Sequence, residues 1–183
     1  MDSRPHDIYG GNYSPRPDKF RVLYLRKDQL LGDIDASIEL ASLSRLGEGG
    51  VRPPIFEEPL MRMRVLFNRW INKYVDNAKQ RMQAYLVGGY SRYSANANDD
   101  WMKLNIELHF PWYWDDSVFD ALGNAVHDYI VNSVLHEFFV VALTSRDVLT
   151  SDKEQIAADA YDNIKHYCVS CLPGTQRKKL HPF

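Results

Sequence analysis

The chain has 183 residues, 45% of them apolar and 25% charged, with a formal net charge of -2. This composition predicts one globular domain with a core of its own and argues against a disordered chain. The near-neutral balance argues against nucleic-acid binding through bulk charge, and no apolar run reaches membrane-spanning length.

The opening residues, Met1-Asp2-Ser3-Arg4-Pro5, hold no hydrophobic segment, so no secretory signal is expected. Residues 1–19, with Pro, Gly, Asn and Tyr in no period, predict an extended N-terminal arm. Phe20 to Arg26 is β-prone and predicts a short strand. Leu30, Leu31, Ile34, Ile38, Ala41, Leu43 and Leu46 then recur at helical spacing, until Gly47, Gly49 and Gly50 stop the helix. Arg52-Pro53-Pro54 is a stiff linker.

A long helix follows. Glu57 and Glu58 suit the positive end of a helix dipole, and Pro59 suits a first turn. Met63, Leu66, Trp70, Tyr74, Ala78, Met82 and Tyr85 form one stripe, which predicts an amphipathic helix of about 28 residues, roughly 40 Å long. Gly88-Gly89 ends it.

Ser, Tyr, Asn, Asp and Gly crowd residues 89–100, as in a loop or hairpin tip. Met102, Leu104, Ile106, Leu108 and Phe110 then alternate with Lys103, Asn105, Glu107 and His109, the pattern of a strand with one buried face. Tyr85 to Tyr93 is its expected hairpin partner, giving a β excursion over about 89–111. Past Pro111, the run Trp112-Tyr113-Trp114 leads to Asp115 and Asp116, both suited to capping a helix. That helix is expected over Ser117 to Leu143, with Phe119, Leu122, Val126, Tyr129, Ile130, Val134 and Phe138 as its stripe. Val134 to Leu143 is apolar nearly all round, so it should lie centrally or between subunits.

Thr144 to Thr150 reads as a turn, and Ser151-Asp152-Lys153-Glu154 as a capping box opening the last helix. Ile156, Ala160, Tyr161, Ile164, Tyr167, Cys168 and Cys171 are its expected stripe, and Pro173-Gly174 stops it. A basic tail covers 173–183. The sum is a mainly α fold: a helical bundle over 20–172 with long central helices, a small β element and extended terminal arms.

Candidate chemistry is sparse. Cys168-Val169-Ser170-Cys171 is a C-x-x-C, and His166 and His181 are the nearest further metal ligands, at irregular spacing. A redox pair would open a helix; this one closes a helix, where the dipole opposes a thiolate, so the cysteines are expected to be structural and the compartment reducing. His136-Glu137 lacks the second His of a zinc protease, since position 140 is Val, and Glu137 should pair or cap. Asp115, Asp116 and Asp120 suit a helix start better than a two-metal site. No phosphate loop or nucleophile elbow occurs, so no enzyme, cofactor or metal is expected. A metal-assisted enzyme or nuclease built on the Asp and Cys/His clusters, and a helical protein-binding regulator, are the alternatives.

Interaction signals are stronger. Aromatic residues make up 13% of the chain, a supply that suits both a core and an interface. Trp112, Tyr113 and Trp114 are expected to serve a partner contact, because three consecutive rings cannot all face one side of an element. The tail joins Arg177, Lys178 and Lys179 to the apolar anchors Leu180 and Phe183, a combination suited to a partner's groove. Between Arg52 and Arg92 stand eight basic and three acidic residues; between Tyr93 and Glu137 stand one basic and eight acidic. Opposite blocks suit head-to-tail contact between identical subunits, which closes into rings.

The order of elements resembles the small helical head–tail connector proteins of tailed bacteriophages. The matching segments are Arg62 to Tyr85, Trp101 to Trp114, Ala125-Val126-His127-Asp128-Tyr129-Ile130-Val131, Leu135-His136-Glu137-Phe138-Phe139 and the helix from Ala157 to Tyr167. They cover about residues 55–183. The Tyr-Ile-Val and Glu-Phe-Phe runs look most like neck and tail-operon proteins of phages of gut bacteria. The resemblance implies a virion component made in the host cytoplasm. It also implies a homo-oligomeric ring, often twelvefold in that family, between portal and tail. Its partners would be the portal protein, other neck or tail proteins and, transiently, DNA in the channel, with no membrane contact.

Overall fold

The computed structural model describes residues 17–46, 60–87, 103–143 and 147–170. The elements run β1 (Lys19–Arg26), α1 (Lys27–Leu46), α2 (Leu60–Arg81), a 3-10 turn (Gln83–Tyr85), β2 (Lys103–Phe110), a second 3-10 turn (Asp116–Val118), α3 (Phe119–Ala142) and α4 (Val148–Cys168). The fold is mainly α, with one two-stranded antiparallel sheet.

Helix α3 is the axis. Tyr129 to Leu135 are buried without a break, so mid-helix it is covered on every side. This encirclement lies earlier than the apolar run Val134 to Leu143 suggests; Val140 and Val141, in the last turn, are exposed. Helix α2 runs antiparallel to α3, since Phe67 meets Phe138 (5.9 Å between ring centroids) and Tyr74 meets Tyr129 (5.7 Å). Helix α4 also runs antiparallel to it: Tyr129 meets Tyr161 at 4.9 Å, and His136 Nδ1 lies 3.2 Å from the Thr150 carbonyl oxygen. Helix α1 packs on α3 as well and is linked to α2 by Arg64 and Asp35, 3.4 Å apart.

The core stripes are close to the expected ones, but not identical. In α1, Leu30, Leu31, Ile34, Ile38 and Ala41 are buried while Leu43 is exposed. Along α2 and one residue past its end, the fully buried line is Phe67, Ile71, Val75, Ala78 and Met82, and Trp70 and Tyr74 only flank it. Both lines are apolar at helical spacing, and the position of α3 decides which becomes the centre. Helix α4 starts three residues before Ser151: Asp147 is its N-cap, accepting from the Leu149 N–H at 3.0 Å. The expected turn over 144–150 therefore already holds the first helical residues, and the capping-box residues lie inside the helix. Thr150, Ala157, Ala160, Ile164 and Cys168 face the core, leaving Ile156 exposed.

Strand β2 alternates as predicted, with Leu104, Ile106, Leu108 and Phe110 buried. Along its whole length it pairs with β1, in the register Lys19↔Phe110 through Arg26↔Lys103, a pairing the sequence does not predict; of the expected partner, Tyr85 to Tyr93, residues 88–93 lie outside the described residues. The described start of that segment does reach the other edge of β2: Leu86 bridges Leu108, and the Val87 N–H donates to the Glu107 carbonyl at 3.1 Å.

Candidate partner-binding surface

Side chains on successive residues of a strand point to opposite faces, and residues paired across an antiparallel ladder share a face. Leu23 and Leu25 of β1 therefore join Ile106 and Leu104 of β2 on the core side. The outer face carries Phe20 opposite His109, Val22 opposite Glu107 and Tyr24 opposite Asn105. Phe20 is 51% exposed and Tyr24 69%. Among the described residues, β1 pairs with β2 alone, and its other edge has no strand beside it. An edge strand with exposed aromatics and no Pro is a ready template for pairing with another chain.

The end of the sheet nearest Phe20 is charged. Lys19 Nζ lies 2.7 Å from Asp116 Oδ2, and Arg21 Nη2 lies 2.8 Å from Asp116 Oδ1. Lys19 Nζ also donates to the Trp114 carbonyl at 2.7 Å. The hydrogen bond from Lys19, helped by the charge of Arg21, holds the Asp116 carboxyl below its ordinary range. Asp115 caps the turn before α3, accepting from the Ser117 N–H at 3.0 Å. Those two carboxylates thus serve a cap and an ion-pair cluster.

The three adjacent rings separate. Trp112 is 37% exposed and sits edge-on to Tyr113, which is half-buried. Trp114 is 1% exposed and belongs to the core, so it drops out of the expected partner-binding set. The Trp114 N–H donates to the Pro111 carbonyl at 2.9 Å, closing a turn that swings the third ring inward. There it stacks on Phe110, 3.9 Å away and 8° from parallel, and meets Phe119 edge-on. Arg177, Lys178, Lys179, Leu180 and Phe183 lie outside the described residues, as do Cys171 and His181.

Phe20 and Tyr24 are not among the expected partner-binding residues, although the sequence carries a signal for them. Phe20, Val22 and Tyr24 are apolar on one parity while Leu23 and Leu25 are apolar on the other. A strand with two apolar faces on a two-stranded sheet leaves one of them for something else to cover.

Of the remaining candidates, Glu137 is paired and Cys168 belongs to the core. Glu137 accepts from Lys73 Nζ at 2.7 Å and from the Tyr74 hydroxyl at 2.8 Å, the pairing expected of it. Cys168 is buried, and burial pushes its thiol up to about 12. Among the described residues, no group of three His, Cys, Asp or Glu side chains could hold a metal ion, and no helix is long and apolar enough to cross a membrane. Comparison with family models, with curated proteins and with solved structures finds no match to this chain.

Proposed function

We propose that this chain is a virion structural subunit, a head–tail connector that forms a ring between portal and tail around the DNA channel. The observation that favours a role in assembly is the outer face of β1: exposed Phe20 and Tyr24 on a strand whose second edge is unpaired among the described residues. Large rings at an open edge suit a neighbour's strand, with backbone bonds adding affinity and the rings adding buried apolar area. The blocks of opposite charge along the chain favour a head-to-tail arrangement, and the resemblance to phage connectors supplies the identity of the assembly. The portal and other neck or tail proteins are the proposed partners, with the basic tail Arg177 to Phe183 and the exposed Trp112 as further contacts.

The test is the mass of the full-length protein by light scattering across a concentration series, repeated with portal-bearing particles in a co-sedimentation assay. A closed oligomer, alone or on the portal, is the expected result, and Phe20→Ser with Tyr24→Ser should weaken it without lowering the thermal midpoint. A chain that stays monomeric and does not sediment with portal particles would overturn the connector reading.

A further inference from the structure

Where α2 ends against α4, a cleft of about 620 Å³ opens to solvent, lined by Gln80, Arg81, Gln83, Tyr161 and Lys165. Tyr161 and Lys165 stand one turn apart on α4 and so share a face. Gln80 and Arg81 end α2, and Gln83 opens the 3-10 turn after it. The lining brings together two cations, two carboxamides and a phenol, with the Asp162 carboxylate beside it on Arg81.

Arg81 is held in place by its surroundings. Its guanidinium carbon lies 4.5 Å from the centre of the Tyr161 ring. Nη2 reaches Asp162 Oδ1 at 2.6 Å, while Nε is buried with no hydrogen-bond partner. The Asp162 side chain is 80% exposed. The Arg81 side chain is mostly buried, but with the carboxylate partner so open to water the pair contributes about 0–1 kcal/mol, so another anion can take the place of Asp162 at little cost. Asp162 also shows which group the guanidinium donates to there, a carboxylate oxygen. Lys165 makes no ion pair among the described residues and is exposed.

Basic side chains near the ends of α2 and α4 also complement the negative ends of two helix dipoles. That accounts for their charge. It does not account for a cleft walled by two carboxamides beside an arginine held against a ring.

We propose that this cleft is an oxyanion-binding site. It takes one phosphate or carboxylate group of a small polar ligand between Arg81 and Lys165, with the Gln80 and Gln83 carboxamides bonding the rest. Arginine supplies a planar fork matched to such groups and lysine a point charge. The Tyr161 ring is engaged by both Arg81 and Tyr129, so the ligand is not one held by stacking on it. The open mouth keeps water close, so binding is weak and falls with salt.

The experiment titrates the full-length protein with pyrophosphate and, separately, with citrate, following backbone amide shifts at ionic strength held constant with sodium chloride. Saturable shifts confined to residues 80–83 and 161–165 are expected. Tighter pyrophosphate binding assigns a phosphate ligand, and tighter citrate binding a carboxylate one. Lys165→Glu, an exposed position that should leave the thermal midpoint unchanged, is expected to weaken binding by about tenfold. Asp162→Asn removes the internal competitor and is expected to tighten it about two- to threefold. Shifts that do not saturate, wild-type affinity in Lys165→Glu, or binding no tighter in Asp162→Asn would each overturn the proposal.

Discussion

The indole N–H of Trp114 donates to the carbonyl of Tyr167 at 2.9 Å, tying the junction between β2 and α3 to the last turn of α4. The Asp115 N–H reaches the Ser170 carbonyl beside it at 3.3 Å. Trp114→Phe keeps a ring against Phe110 and removes the indole bond, while the Tyr167 carbonyl keeps its backbone donor Ser170, so it is expected to cost about 0.5–1.5 kcal/mol. Trp114→Ala also empties the ring's volume and should cost about 3–5 kcal/mol. Urea unfolding measures both; equal losses would assign the whole effect to one cause.

Glu137 should contribute to acid sensitivity. The hydrogen bond from Lys73 comes first in holding its carboxyl below the ordinary value of 4.5, with Tyr74 assisting and partial burial opposing. The unfolded chain then takes up the proton at a higher pH than the folded one. The stabilisation is complete above the ordinary value and is lost as pH falls through the lowered folded value. Glu137→Gln is therefore expected to flatten the fall in thermal midpoint below about pH 4.5, and Lys73→Met to do the same. An unchanged acid limb in both variants would remove Glu137 as a contributor.

The thiol of Cys168, pushed up to about 12 by burial, should stay protonated and unreactive in the folded protein. In a Cys171→Ala background, a disulfide reagent is expected to label Cys168 only as fast as the fold opens, and at once in denaturant. Rapid labelling of the native protein would place the sulfur at the surface.

Strand β2 offers a paired comparison of its two faces. Ile106 is buried against β1 and the helices, whereas Glu107 is exposed. Ile106→Asp sets a charge in the core and should cost several kcal/mol, enough to unfold a marginal domain. Glu107→Gln should stay within about 0.5 kcal/mol. Similar damage from the two, read by circular dichroism melts, would contradict the register.

Local patterns decide what one element can settle by itself. Alternation over Met102 to Phe110 marked β2 and its buried face, because a strand's period of two is written in consecutive residues. Helical spacing marked α1 and α3, and an Asp before a helix start marked the cap at Asp115. Other features depend on where neighbours lie. Strand β2 could not name β1 as its partner, since the two are separated by α1 and α2 and a ladder constrains side-chain parity, not sequence distance. Helix α2 carries apolar residues over so wide an arc that only the position of α3 selects Phe67, Ile71 and Val75 over Met63, Trp70 and Tyr74. The cap of α4 moved to Asp147 because Thr150 and Ala157 share the buried face. Trp114 went inward while Trp112 stayed out through a backbone turn at Pro111. The cleft joins Arg81 to Tyr161 and Lys165 from a distant helix. Sequence alone determined the class of each element, because periodicity is local; tertiary structure decided partners, centres and clefts, because burial is shared between segments that meet only in the folded chain.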